Sequence, residues 1–167
     1  LQDAGYIVSA IDLSNQEIPE DCRMLFIYNP SDDFLVKEEG ISDKSEIEKI
    51  DRFLDGNNAM AVFMDPATPR LPHLEEYLEE WGISFMREEN VSGKLESCVV
   101  QDNAHSLTTD GMTIIGAYTS GGLGASIHKD LRTQFPPKVI FKDAMPIKYA
   151  DGYQLTEYVN EDDKTDR

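Results

Sequence analysis

Amide and carboxylate side chains follow two apolar runs of this chain, where they could bind a polar ligand. Residues 24–28 are followed by Asn29 and Asp32, and residues 59–64 are followed by Asp65. In open α/β sheets, ligands bind beyond the carboxyl ends of the strands. Asn29, Asp32 and Asp65 are therefore the candidate ligand-binding residues. Acidic residues at strand ends more often cap helices than hold a hard cation, so the sequence predicts no metal site there.

Nucleophilic catalysis finds little support in the sequence. Cys22 precedes an apolar run and Cys98 lies within one, so neither fits the tight strand-to-helix turn that exposes a nucleophile. Both are predicted to be structural thiols, and whether they pair is left open. His73, His105 and His128 are too widely spaced to share a metal motif. The sequence therefore predicts no catalytic residue.

The glycine-rich run at residues 121–126 does not form a phosphate-binding motif. A Walker loop needs a Lys-Ser/Thr pair after its glycines, and a dinucleotide fingerprint needs G-x-G-x-x-G between a strand and a helix. Neither pattern is present. We interpret the run as a flexible connection and predict no cofactor.

Two amphipathic helices alternate with the apolar runs that carry the candidate residues. A helix is predicted from about Asp43 to Leu54, with Ser42 as its N-cap, and a second from Pro72 to Trp81, ended by Gly82. This order is typical of βαβ units, so residues 24–28 and 59–64 are predicted to be adjacent and parallel. The predicted fold is a three-layer α/β sandwich with a mostly parallel central sheet, flavodoxin-like or similar to class I glutamine amidotransferases.

Helical spacing assigns one apolar stripe to each helix, and these residues are predicted to face the sheet: Ile47, Ile50, Leu54, Leu74, Leu78 and Trp81. Further strands are predicted at residues 7–13, 83–85, 95–101, 112–118 and 139–141.

Composition restricts the classes of partner. The chain has 167 residues and a formal net charge of −17. A surface this acidic repels nucleic acid and anionic lipid headgroups, so we predict no nucleic-acid function. No apolar run approaches the roughly 18 residues that a membrane span requires, so no span is predicted in the chain.

One domain is predicted over residues 1–160, followed by a charged tail at residues 161–167. The chain begins Leu1-Gln2-Asp3-Ala4-Gly5, without an initiator methionine, like the last turn of a helix leading into a strand. We therefore expect the domain to be a fragment of something longer, with any membrane segments outside it.

An ordered set of motifs over roughly residues 5–85 resembles the GldG-like auxiliary component of ABC-type transport systems related to gliding motility. The resemblance rests on Gly5-Tyr6, on residues 11–13 and 18–30, on the helix at residues 46–56, and on residues 61–66 with their terminal Asp-Pro. It continues through Leu71, Leu74, Leu78 and Trp81-Gly82-Ile83. Gly56-Asn57 stands where the family has a glycine pair.

This resemblance implies a soluble domain on the extracytoplasmic side of the cell membrane, attached to a membrane protein and associated with an ABC permease or other subunits of a transport complex. The family offers no catalytic motif, so a non-enzymatic auxiliary role is expected. Two alternatives stay open. One is a small-molecule or sugar-binding module that uses the crevice at the strand ends, and the other is a hydrolase on a related fold.

Overall fold

Two parallel strands joined through a helix form the first half of the chain. In the computed structural model, which describes residues 2–37, 45–118 and 138–153, strand β1 is Met24–Tyr28 and strand β2 is Ala59–Phe63. Met24 lies opposite Ala59 and Tyr28 opposite Phe63, in parallel register. Helix α1, Glu46–Asp55, connects them. The prediction that these strands are adjacent and parallel is confirmed.

Helix α1 has strong signals at both ends. The Ser45 hydroxyl accepts a hydrogen bond from the backbone N–H of Glu48, which satisfies one of the free donors of the first turn. Glu46 and Glu48 in the first turn and Arg52 in the last suit the helix dipole. The predicted cap and start, Ser42 and Asp43, lie outside the described residues; the described helix is capped by Ser45.

Helix α2, Pro72–Glu80, begins with proline in its first turn. The helix ends at Glu80 with Trp81 as its C-cap, and Gly82 follows with a φ of +82°, the left-handed conformation that glycine adopts most easily. A Cβ at Gly82 would lie 2.8 Å from the Tyr153 ring. Both this contact and the positive φ therefore disfavour larger residues at position 82. The predicted start at Pro72 is confirmed, and the helix ends one residue before the predicted Trp81.

Both helices pack on the same face of the β1–β2 pair. Leu25 and Ile27 point inward from β1 and share one core with side chains of both helices. The buried members of that core are Leu13, Leu25, Ile27, Ile50, Phe53, Leu71, Leu74, Tyr77 and Leu78. The alternate residues of β1, Met24, Phe26 and Tyr28, are exposed on the opposite face. This half of the chain therefore has two layers.

The second half of the described chain is antiparallel. Strand β3, Ile83–Phe85, pairs with β8, Ile147–Tyr149. Strand β4, Arg87–Glu89, pairs with β5, Leu95–Ser97. Strand β6, Thr113–Gly116, pairs with β7, Val139–Lys142. Backbone hydrogen bonds extend these pairs beyond the strand ends, such as Met86 N–H to Pro146 O at 3.0 Å, which continues the β3–β8 pairing.

The predicted three-layer sandwich with a mostly parallel central sheet is therefore wrong. The described residues form two α-helices and four two-stranded sheets, of which only β1–β2 is parallel. The apolar runs after α2 are short, and no helix lies between them in the described residues, where they pair in antiparallel register. Strands β4 and β8 were not predicted, and β5 and β6 are shorter than the predicted strands at residues 95–101 and 112–118.

Two further predictions from apolar pattern fail. Residues 7–13 form no strand; Ile7 is 98% exposed, while Leu13 reaches the core. Trp81 was predicted to face the sheet, but it is 53% exposed and packs edge-on against Tyr77. The prediction is confirmed for the other five stripe residues. Ile50, Leu74 and Leu78 are buried, and Ile47 and Leu54 are partly buried against the core.

Predictions for residues 121–126, His128 and the tail at 161–167 lie outside the described residues. In the described part of the chain, no helix is both long enough and apolar enough to cross a membrane.

Candidate functional site

Two of the three candidate residues meet where the parallel strands end. The Asn29 side-chain amide donates a hydrogen bond to Asp65 Oδ2 at 2.5 Å. Asn29 also has a φ of +40°, and its backbone N–H bonds to Phe63 O at 2.8 Å. Asparagine tolerates this left-handed conformation better than most residues. The amide and carboxylate therefore tie the end of β1 to the turn after β2.

Asp65 is also occupied by its own turn. Its Oδ1 accepts the backbone N–H of Ala67 at 2.8 Å, and its backbone N–H donates to the Thr68 hydroxyl at 3.1 Å. The Thr68 hydroxyl lies 3.5 Å from Asn29 Oδ1, which closes a small polar network. Thr68 is buried. This network fills the strand end with internal contacts, so its chemistry is that of a structural junction.

Asp32 does not join this network. It is exposed and accepts a hydrogen bond from the neighbouring Ser31 hydroxyl at 2.8 Å. Its neighbour Asp33 accepts the backbone N–H groups of His73 and Leu74 at 2.9 and 3.2 Å. Those are donors of the first turn of α2, whose own N-cap, Leu71, has no side chain able to accept them. Asp33 thus caps α2 from a distant part of the sequence.

No cluster of three or more potential metal ligands occurs in residues 2–37, 45–118 and 138–153. Asp33 and Asp65 use their oxygens on backbone and side-chain donors, as described above. The strand ends therefore offer no preformed set of free carboxylates.

An open groove lies beside the strand end, on a surface that the sequence did not single out. It has a volume of about 880 Å³ and lies between the turn after β2 and the β4–β5 hairpin. Its lining residues are Pro66, Ala67, Thr68, Pro69, Arg70, Arg87, Glu89, Gly93, Lys94, Leu95, Glu96 and Ser97.

Arg87 is the structural centre of this groove. Its guanidinium contacts both carboxylate oxygens of Glu75, at 2.8 and 3.2 Å, and donates to the Ser97 hydroxyl at 2.8 Å. It also reaches the carbonyl oxygens of Thr68 and Pro69. These partners use its donors, so Arg87 fixes the groove wall instead of offering a free cation to a ligand.

The remaining charges of the groove are mixed in sign. Arg70 and Lys94 are exposed and form no ion pair with any described residue, and Glu89 and Glu96 line the same space. The Glu96 carboxylate accepts a hydrogen bond from Asn90. The groove therefore has no strong preference for one sign of ligand charge.

The cysteines and the two described histidines occupy separate places. Cys22 and Cys98 are both free thiols, which answers the open question of their pairing. His73 Nδ1 lies 2.8 Å from Phe34 O, and His105 Nδ1 lies 2.8 Å from Asp102 Oδ2. Hydrogen bonds from His105 and from the backbone hold the pKa of Asp102 below its ordinary value. Neither histidine contacts a thiol.

Aromatic and apolar side chains cover the outer surface of β1–β2. We define the open face as Met24, Phe26, Tyr28 and Phe63, which are 44–75% exposed. The Phe26 and Phe63 rings are stacked with centroids 6.4 Å apart, and Tyr28 lies 6.2 Å from Phe63. Strands β1 and β2 contain no charged residue. Contiguous exposed apolar surface of this kind marks interaction sites.

The apolar pattern of β1 did not predict the open face; it predicted a central strand with both faces covered. Residues 24–28 are apolar on both alternating sets, which is typical of a strand covered on both sides. In the structure only one set is covered.

No known protein family matches the chain, and neither a curated protein nor a solved structure matches it.

Proposed function

We propose that this chain is a non-enzymatic interaction domain that binds a protein partner through the open face. The carrying observation is the exposed stack of Phe26 and Phe63 on a pair of parallel strands whose other face holds the core. Removing an uncharged, aromatic strand surface from water lowers the free energy, so binding a partner there is favourable. Aromatic residues are also enriched at interfaces.

The proposal extends to the context that the family resemblance implies. The domain would act as an auxiliary component of an ABC-type transport system on the extracytoplasmic side of the cell membrane, with the permease or another subunit as its partner. The motifs over residues 5–85 support this context. The placement of the cysteines and of His73 and His105 in separate contacts supports a role without catalysis.

Site-specific crosslinking tests the proposal. A photoreactive phenylalanine analogue would replace Phe26 in the full-length protein in its own cells, and a matched probe would replace Ile140, which is 55% exposed on β7. We expect one dominant crosslinked product from position 26, containing a transport-complex subunit, and none of that product from position 140. Equal products from both positions, or none from position 26, would contradict the interaction role.

The non-enzymatic part has its own test. Purified chain would be assayed against generic ester and phosphate substrates, alone and with Mg²⁺, Ca²⁺ or Zn²⁺. We expect no turnover above the uncatalysed rate. Turnover that disappears when Cys22 or Cys98 is changed to Ser would favour the hydrolase alternative.

Small-molecule binding is a second candidate, favoured by the groove of about 880 Å³ beside the strand end. Typical ligand pockets occupy roughly 300–1,000 Å³. Glucose and citrate, as a neutral sugar and a polycarboxylate, would be titrated while amide resonances are followed by NMR. Shifts confined to residues 66–70 and 93–97 and lost in Arg70→Gln would support a ligand site. Shifts spread over the surface would argue for non-specific contact.

A further inference from the structure

Parallel strands normally have a layer on both sides, and no described residue forms such a layer over the open face. In α/β proteins, βαβ crossovers place helices on both faces of a parallel sheet, and its strands are therefore apolar on both sides. Here α1 and α2 both pack against the side that carries Leu25 and Ile27. The other side presents Phe26 and Phe63 to solvent. A helix lying along the two strands is the kind of layer that parallel sheets normally carry on such a face.

In the sequence, acidic residues flank both strands, and one basic residue, Arg23, lies directly before β1. Asp21 precedes β1 and Asp55 precedes β2, while Asp32 and Asp65 follow the two strands. The whole chain has a net charge of −17. A second copy would carry the same charge, and repulsion between like charges opposes packing two such faces together. Charge complementarity therefore favours a basic partner over self-association.

We infer that the open face receives an amphipathic helix of the partner protein, with a stripe of apolar residues flanked by Lys or Arg. This inference rests on the proposed function and specifies the partner's chemistry. A five-residue strand is about 17 Å long, so a helix of about 11 residues spans it. The apolar stripe would contact the stacked rings, and its basic residues would lie near the aspartates at the strand ends.

Two synthetic helical peptides test the inference on the full chain. Both carry leucine at i, i+3, i+4 and i+7; one has lysine and the other glutamate at its polar positions. Binding would be measured by fluorescence anisotropy at about 0.15 M salt, where exposed charges more than about 8 Å apart are largely screened. We expect the lysine peptide to bind at least tenfold more tightly than the glutamate peptide.

Variants separate specific docking from general attraction to an acidic protein. Phe26→Gln and Phe63→Gln should each weaken the lysine peptide at least fivefold, and Ile140→Gln, an equally exposed site on β7, should leave it unchanged. Both replaced rings are half exposed, and an unchanged melting curve would verify folding. Peptide affinity that is unchanged in Phe26→Gln and Phe63→Gln would overturn the inference. A dimer of the chain that sedimentation detects and that Phe26→Gln dissociates would overturn it as well.

The two proposals fail in different ways. If crosslinking from position 26 identifies a partner whose contact segment is an acidic helix or an extended strand, the helix inference is wrong and the interaction role stands. If no partner crosslinks from that position, the interaction role itself is wrong.

Discussion

Arg87 and Glu75 form a doubly hydrogen-bonded ion pair that joins strand β4 to helix α2. The Nη2–Oε1 distance is 2.8 Å and the Nε–Oε2 distance is 3.2 Å, with side-chain exposures of only 6% and 14%. Glu75 Oε1 also accepts the backbone N–H of Leu71 at 3.0 Å. A single carboxylate thus holds the start of α2 and the groove wall together.

Breaking this pair from one side should strongly destabilise the fold. Arg87→Met leaves the Glu75 carboxylate with little access to water, and we expect a loss of about 3–5 kcal/mol in the free energy of unfolding. The double variant Arg87→Met/Glu75→Met should be more stable than Arg87→Met alone, because no charge is then left unpaired. Urea denaturation measures both. Arg52→Met is the control, since its ion pair with Glu17 is 68% exposed on each side and should contribute about 0–1 kcal/mol.

Removing the remote cap of α2 should cost about 0.5–2 kcal/mol. Asp33→Ala deprives the N–H groups of His73 and Leu74 of their acceptor. Asp32→Ala, one residue earlier and exposed, should change the free energy of unfolding by less than about 0.5 kcal/mol. Equal effects of the two substitutions would show that Asp33 does not act as the cap.

The Asn29 junction should respond to both its side chain and its backbone. Asn29→Gly keeps the left-handed conformation but removes the bond to Asp65, for an expected loss of about 0.5–1.5 kcal/mol. Asn29→Ala adds the strain of a positive φ, roughly 1–2 kcal/mol more. Thermal unfolding would compare the two variants. An alanine variant at least as stable as the glycine variant would contradict the observed backbone conformation.

A core residue of α2 and the exposed residue that follows this helix should behave differently. Leu78 is 3% exposed, and Leu78→Ala should cost about 2–5 kcal/mol through lost burial and the cavity left behind. Trp81→Ala should cost only about 1 kcal/mol, because Trp81 is half exposed and its main ring contact is with Tyr77. A melting temperature unchanged by Leu78→Ala would show that the core is assigned wrongly.

Alkaline pH should weaken the fold through Tyr77. Burial, aided by the nearby Asp51 carboxylate, raises the pKa of Tyr77 from 10.0 to about 12. Because the folded state holds this proton more tightly than the unfolded state, the contribution is fully present below pH 10 and is lost as pH rises toward 12. The decline in the free energy of unfolding over that range should be smaller in Tyr77→Phe. Tyr28→Phe, at a 75% exposed tyrosine, serves as the matched control.

Local pattern was sufficient for the elements around the parallel strands. Short-range signals account for three features: the strands at residues 24–28 and 59–63, the limits of α2, and the parallel pairing of β1 with β2. Apolar runs end at Asn-Pro and Asp-Pro turns, proline begins α2, and glycine ends it. A connecting helix makes a parallel neighbour the natural outcome.

Tertiary structure alone decided what covers each face and what the charged residues contact. Helical spacing identifies the stripe that is buried, but it does not say on which side of the sheet the helix lies, and both helices took the same side. Asp33 reaches α2 across 40 residues, and Arg87 meets Glu75 only after β4 folds back over the turn at residues 65–70. Such contacts depend on long-range packing, which no local period encodes. The sequence by itself therefore determined the strands of the open face, and only the packing of both helices behind it left that face exposed.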